Sequence, residues 1–268
     1  MKGTERDKKL NYLFSVLAVA VMWAVWLIAH AIVRNEYIIP SFSDTIASIG
    51  AQLISSRFWL SFALTVWRTI YAWLLAFVLA VIFASLSALS MRFYRFFAPF
   101  IGVLRSLPTM AVTLMLLIWT TPRIAPVIVA LMMLLPLTYT QLITAYKGID
   151  PKLIEMADVY RLDKKTRLVH IYIPQMMPGI FAQAGANLSL TLKVMISAEV
   201  LSSTFRSIGG MMHDAAMYSQ MAEMFAITIV MLIVGGLLEF LLGLLTRITD
   251  RWTKGRGTKA NRRSSSHV

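Results

Sequence analysis

Long apolar blocks alternate with short polar ones along this chain of 268 residues. An α-helix needs about 20 apolar residues to cross a ~30 Å hydrocarbon core, so each long block is a membrane-span candidate. The first is Tyr12–Val33, closed by Arg34, Asn35 and Glu36. In the segment that follows, Ile46, Ile49, Leu53 and Ile54 share a helical face. Ser43 or Asp44 is expected to cap a short interfacial helix there, over Thr45–Ser55. The block Phe58–Ser90 is too long for one crossing, so the second span is placed at Arg68–Ser90, with 58–67 in the outer interface. Further spans are expected at Phe97–Trp119 with Pro108 inside, Pro126–Tyr146 with Pro136 inside, Gly179–Leu201 and Glu223–Leu245. The pattern predicts an all-α polytopic membrane protein with six transmembrane helices in one domain, 12–246. A charged tail, 1–11, precedes it; a basic tail, 247–268, follows and is expected to be unstructured at Ser264–Ser266.

Composition agrees, with 58% hydrophobic and 15% charged residues, a mean hydropathy of +0.68, and far more apolar content than a soluble domain of this length carries. A net charge of +13 suggests nucleic acid when taken alone, but its distribution argues for a lipid bilayer and no nucleic acid. With an inner amino terminus, the inner segments hold Lys2, Arg6, Lys8 and Lys9; Arg92 and Arg95; Lys147, Lys152, Arg161, Lys164, Lys165 and Arg167; and Arg247, Arg251, Lys254, Arg256, Lys259, Arg262 and Arg263. The outer segments hold only Arg34, Arg57, Arg123 and Arg206. The positive-inside rule therefore places both termini and the 147–178 segment in the cytoplasm. A cleaved leader is not expected, because Tyr12–Val33 is long enough to span and no small-residue cleavage site follows. The chain has no cysteine, and its four histidines, His30, His170, His213 and His267, lie apart without metal-ligand spacing. No metal site or catalytic residue is expected.

The polar segment 147–178 has its own helical grammar. Asp150-Pro151 is a helix start, with Asp150 as N-cap and Pro151 in the first turn. The helix is expected to run to about Tyr160, with Leu153, Ala157 and Tyr160 on one face and the small Ala157 permitting close approach of another surface. Asp163 can cap a second short helix, Lys164–Ile171, which Pro174 is expected to end. Two short helices held between spans form a knob suited to helix-in-groove docking with a cytoplasmic partner.

The stretch from Glu155 to Pro174 also resembles the EAA loop of binding-protein-dependent ABC importer permeases. That pattern is Glu-Ala-Ala, three residues, Gly, nine residues, then Ile-x-Leu-Pro. Here Glu155, Met156, Ala157, Arg161, Ile171, Ile173 and Pro174 stand at its positions, with Met156, Arg161 and Ile173 as departures. Arg161 at the glycine position suggests a tighter helical turn and a direct contact with the partner. Other fragments, Ile39-Pro40-Ser41, Thr65-Val66-Trp67-Arg68, Arg105-Ser106-Leu107-Pro108, Ala198-Glu199-Val200 and Ser207-Ile208-Gly209-Gly210, are similar in order and spacing to the nitrate/sulfonate/taurine branch.

This resemblance implies an ABC type I importer transmembrane domain of the bacterial inner membrane. It implies a homodimer that moves substrate by alternating access, two cytoplasmic ABC ATPase subunits docked around Asp150, Glu155, Ala157, Asp158, Arg161 and Pro174, and an extracytoplasmic substrate-binding protein. No G-x-x-x-x-G-K-[ST] loop is present, so ATP and Mg are expected on the partner ATPase and no cofactor on this chain. The branch carries nitrate, sulfonates, taurine and related small anions, but also uncharged heterocycles such as vitamin precursors. A secondary transporter without an ATPase is the remaining alternative; the scarcity of span carboxylates and of an internal repeat argues against it.

Charges within spans are costly and mark a cavity or a partner. Lys193 is expected to line the pathway or to pair with a carboxylate such as Glu239, or Glu199 of a second copy. Glu199, Arg105 and Pro108 complete the candidate pathway. Arg68 is expected to snorkel to head groups. Residues 202–222, with Gly209 and Gly210, are the candidate outer gate.

Overall fold

The computed structural model describes residues 5–264, which include eleven α-helices and one π-helical turn. Helix α1 (Glu5–Val33) stands at the side of the bundle. It is tied to the rest by Trp26 Nε1 donating to the Pro40 carbonyl at 3.3 Å and by edge-on contacts of Trp23 and Trp26 with Phe42. Helix α2 (Phe42–Ile54) begins earlier than the sequence suggests. Ser41, rather than Ser43 or Asp44, is the N-cap, accepting the Asp44 N–H at 3.1 Å. Asp44 thereby falls in the first turn, where its charge meets the helix dipole.

Helix α3 (Ser56–Leu89) is one unbroken helix of 34 residues, so segment 58–67 continues the second span as helix. Its buried face is a seam of small side chains, Ser61, Thr65, Thr69, Ala72, Ala76, Ala80 and Ala84, each three or four residues from the next. Apolar side chains gain little by leaving lipid for one another, so close backbone approach along such a seam holds membrane helices together. Helices α6 (Ala125–Lys147) and α9 (Ile173–Leu201) pack against α3. Helix α11 (Met221–Ser264) closes on α9. Their contact is tight at Gly185, where a Cβ would lie 2.9 Å from the Glu239 carbonyl oxygen.

The expected third span is not one helix. Helix α4 (Met91–Ser106) and helix α5 (Thr109–Trp119) meet at 96°. Leu107 and Pro108 are both extended, with ψ 127 and 117. Pro108 lacks the N–H that would continue the helix and disfavours the helical conformation at Leu107. Among the described residues, five helices are long and apolar enough to cross a membrane, and the bent pair makes a broken sixth. The expectation of a disordered tail end falls partly on residues 265–268, outside those described; helix α11 itself is assigned through Ser264.

Candidate functional site

The knob forms as the capping residues dictate. Asp150 accepts the Lys152 N–H at 3.0 Å, and Pro151 opens α7 (Pro151–Val159). The turn after α7 is not tightened helix. Arg161 has φ +52, the left-handed conformation that glycine adopts without strain. The N–H of Leu162 returns to the Ala157 carbonyl and that of Arg161 to the Asp158 carbonyl, both at 3.0 Å. This is the Schellman arrangement. Arginine at the expected glycine position thus keeps the glycine geometry, because the two bonds that close the turn are still made.

Asp163 accepts the N–H groups of Lys165 and Thr166 at 3.2 Å each and starts α8 (Lys164–Arg167). Hydrogen bonds from Thr166, through its side chain first and then its backbone, hold the exposed Asp163 carboxyl below its ordinary pKa. The second helix does not stop at Pro174. It passes through a π-helical turn, Leu168–Tyr172, straight into α9, whose first turn contains Pro174. The wider i→i+5 turn just before it, in which the Ile173 N–H reaches the Leu168 carbonyl, stands where an interior proline would otherwise interrupt the α-helical ladder. The knob is therefore continuous with span five.

Ala157 faces inward. It is 1% exposed and sits with Ile149, Ile171 and Tyr172 in a small apolar core, braced by the perpendicular rings of Tyr146 and Tyr172. The close approach that its small side chain permits is made by the knob's own residues. The opposite face carries Met156, Val159 and Tyr160, exposed at 42%, 79% and 73%, beside the exposed Glu155 and Arg161. Met156 and Val159 on α7 and Tyr160 at its C-cap thus hold apolar side chains outward at one end of the knob. Tyr160, expected on the Ala157 face, is instead exposed, and helical spacing alone does not single out Met156 and Val159 as surface groups.

Within the bundle, Glu199 is fully buried. Its carboxylate accepts from Arg68 Nη1 and from Thr65 Oγ1, both at 2.8 Å, and from the Gly209 N–H at 3.3 Å. Thr65 Oγ1 in turn accepts the Ile208 N–H at 3.0 Å. Arg68 is thus the buried partner of Glu199 and does not snorkel. Glu199 is correspondingly not free to pair with Lys193 of a second copy. Lys193 is exposed on the face of α9 that also bears Ala186, Leu190 and Ser197, and neither it nor Arg105 makes an ion pair among the described residues. Gln141 and Asn187 exchange two amide hydrogen bonds between α6 and α9, at 2.7 and 3.1 Å; two amides 46 residues apart give no sequence signal.

Residues 202–222 contain helix α10 (Ile208–Met217), capped by Ser207, whose Oγ accepts the Gly210 N–H at 2.8 Å. Gly209 lies against α9 so closely that a Cβ would stand 2.3 Å from the Glu199 Cβ. Beside α10 opens a cleft of about 570 Å³, lined by Arg57, Arg206, Asp214 and the serines 56, 203 and 207.

An apolar helical bundle with a polar, self-supporting knob continuous with one of its spans is the build of a multi-pass membrane protein. Residues 76–255 match the family of binding-protein-dependent transport system inner membrane components. The chain belongs to that family. It is the permease subunit of an ABC importer, a non-catalytic, multi-pass component of the inner membrane. SsuC of Bacillus subtilis (strain 168), assigned as an aliphatic sulfonates transport permease, is 23% identical over 248 residues, covering 91% of this chain and 89% of that protein. Its namesake in Escherichia coli (strain K12) is 26% identical over 232 residues, covering 85% and 88%. Among solved structures, a bacterial alginate ABC transporter in complex with its pentasaccharide-bound periplasmic protein superimposes with a TM-score of 0.63 at 13% identity, covering 91% of this chain and 97% of that one. The inward-facing MetNI methionine transporter gives 0.59 at 14%, covering 71% and 96%. These likenesses support the fold of ABC type I importer transmembrane domains.

Proposed function

We propose that the chain works as a homodimer that imports a small anion, an aliphatic sulfonate being the best-supported class. Two ATPase subunits, which carry ATP and Mg, dock on the α7 knobs. A binding protein delivers substrate at the outer side, and the spans rock between inward- and outward-open forms as the ATPases close and reset. The exposed Met156, Val159 and Tyr160, with Glu155 and Arg161 beside them, support the docking role. The substrate class rests on the two sulfonate-permease relatives. An exposed cation, Lys193, near the middle of span five fits a pathway for anions. Gly209 and Gly210, in α10 beside the cleft, fit the outer gate.

The decisive experiment reverses charge on the docking face. Glu155→Lys is expected to lose the co-purifying ATPase while the permease still folds and inserts. ATPase binding and uptake at wild-type levels would refute the docking role. Uptake assays with an aliphatic sulfonate against an uncharged heterocycle separate the substrate classes, and Lys193→Glu should depress the first selectively.

A further inference from the structure

We propose that Arg167 is the positioning residue that fastens the docking knob to span five, so that motion of α7 reaches the pathway. This inference rests on the docking role proposed above for α7. The chain between α7 and α8 is a four-residue turn, residues 160–163, and it includes the left-handed Arg161. Two backbone bonds, from Leu162 to Ala157 and from Arg161 to Asp158, hold that turn from within. Arg167 closes it from the far side. Its Nε donates to the Leu162 carbonyl at 2.8 Å and its Nη2 to the Ala157 carbonyl at 3.3 Å, while Nη1 pairs with the Asp158 carboxylate. All three acceptors belong to the last turn of α7 or to the turn that follows, and one guanidinium reaches all of them.

The chemistry suits arginine alone. Its planar fork directs several N–H groups in fixed directions, whereas a lysine ammonium is a point charge on a flexible stem. The cation also sits at the carboxyl end of α7, where the helix dipole favours it. The Arg167 side chain is 22% exposed, which shelters its two carbonyl bonds, whereas its Asp158 partner is 63% exposed and that pair stands in water. Downstream of Arg167 the chain is helical without interruption through the π-turn to Leu201, and Glu199 in its last turn is locked to Arg68. A π-turn within a helix is rare and concentrates at functional sites. Arg167 therefore stands at a joint in the helical path from the docking face to the Arg68–Glu199 pair.

The test uses the full complex of permease, ATPase and binding protein in lipid nanodiscs, with Arg167→Ala and Arg167→Lys. Both variants should retain the ATPase on purification and keep its basal hydrolysis, since Glu155, Met156, Val159 and Tyr160 on the docking face are untouched. Both should lose most of the stimulation of hydrolysis by the substrate-loaded binding protein. Amide exchange across residues 159–166 should quicken about tenfold, the loss expected for a hydrogen bond to a charged group. Wild-type stimulation in both variants, or full rescue by lysine, would overturn the proposal, as would loss of the ATPase itself, which would make Arg167 a docking residue. Glu155→Lys separates the two readings. If it releases the ATPase while both Arg167 variants stay coupled, docking on α7 stands and the fastening role fails.

Discussion

Truncating Glu199 to alanine should be among the most damaging single changes in this bundle. The carboxylate gathers three donors, Arg68 Nη1 and Thr65 Oγ1 at 2.8 Å and the Gly209 N–H at 3.3 Å, and no water reaches it. Ordinary neutral hydrogen bonds between membrane helices are worth only about 0.6 kcal/mol on average, because the unfolded helices in the bilayer find other partners. An ion pair is different: removing one member strands the other charge, at a cost of about 3–5 kcal/mol. Arg68 is 15% exposed at its side chain, so it cannot recover full hydration in place. Glu199→Ala and Arg68→Ala should each destabilise by about that amount. The double variant should fall short of the sum by at least ~2 kcal/mol, since the second truncation removes a charge already stranded. Reversible unfolding of the purified permease in mixed micelles, titrated with a denaturing detergent and followed by tryptophan fluorescence, measures all four corners of the cycle. A coupling energy no larger than about 0.6 kcal/mol would show that the pair behaves as an ordinary neutral bond. The assignment of this site as the clamp joining α3, α9 and α10 would then fail.

Two further changes test local geometry. Arg161→Gly should stabilise the knob by up to about 1 kcal/mol, as relief of left-handed strain exceeds the added chain entropy of glycine; slower amide exchange around Leu162 is the readout, and faster exchange would count against the strain argument. Gly209→Ala should destabilise by roughly 1–3 kcal/mol in the same unfolding assay, because its Cβ would lie 2.3 Å from the Glu199 Cβ and 2.6 Å from the Val200 nitrogen. Gly236→Ala, with nothing within 4 Å of the added carbon and inside α11, is the control and should be neutral to stabilising by up to about 1 kcal/mol.

What the sequence reveals about this permease divides along the range of the forces involved. Spans are legible because hydropathy acts residue by residue, and the helix starts at Asp150-Pro151 and Asp163 are legible because caps are local. Pro108 is visible inside the expected third span, but its 96° consequence depends on Leu107 also turning extended and on where α5 then finds packing. Pro174 misleads for the converse reason: the helix passes it because a π-turn, Leu168–Tyr172, widens the register just before the proline, and nothing local announces that turn. Arg68 and Glu199 look like two separate problems at a distance of 131 residues. Each is costly alone in a membrane, and hydropathy prices each as if it were alone. Only the fold makes them one pair, with Thr65 and the start of α10 completing it. Arg161 shows a local rule overridden by neighbours: the preference for glycine at a left-handed position is worth about 1–2 kcal/mol, and two returning backbone bonds together with the buried Ala157–Ile171–Tyr172 core outweigh it. The residues that surprise in this chain are therefore those whose partners lie across a turn or across the bundle. The same holds for Arg167, whose three acceptors come together only once the turn at Arg161 has closed.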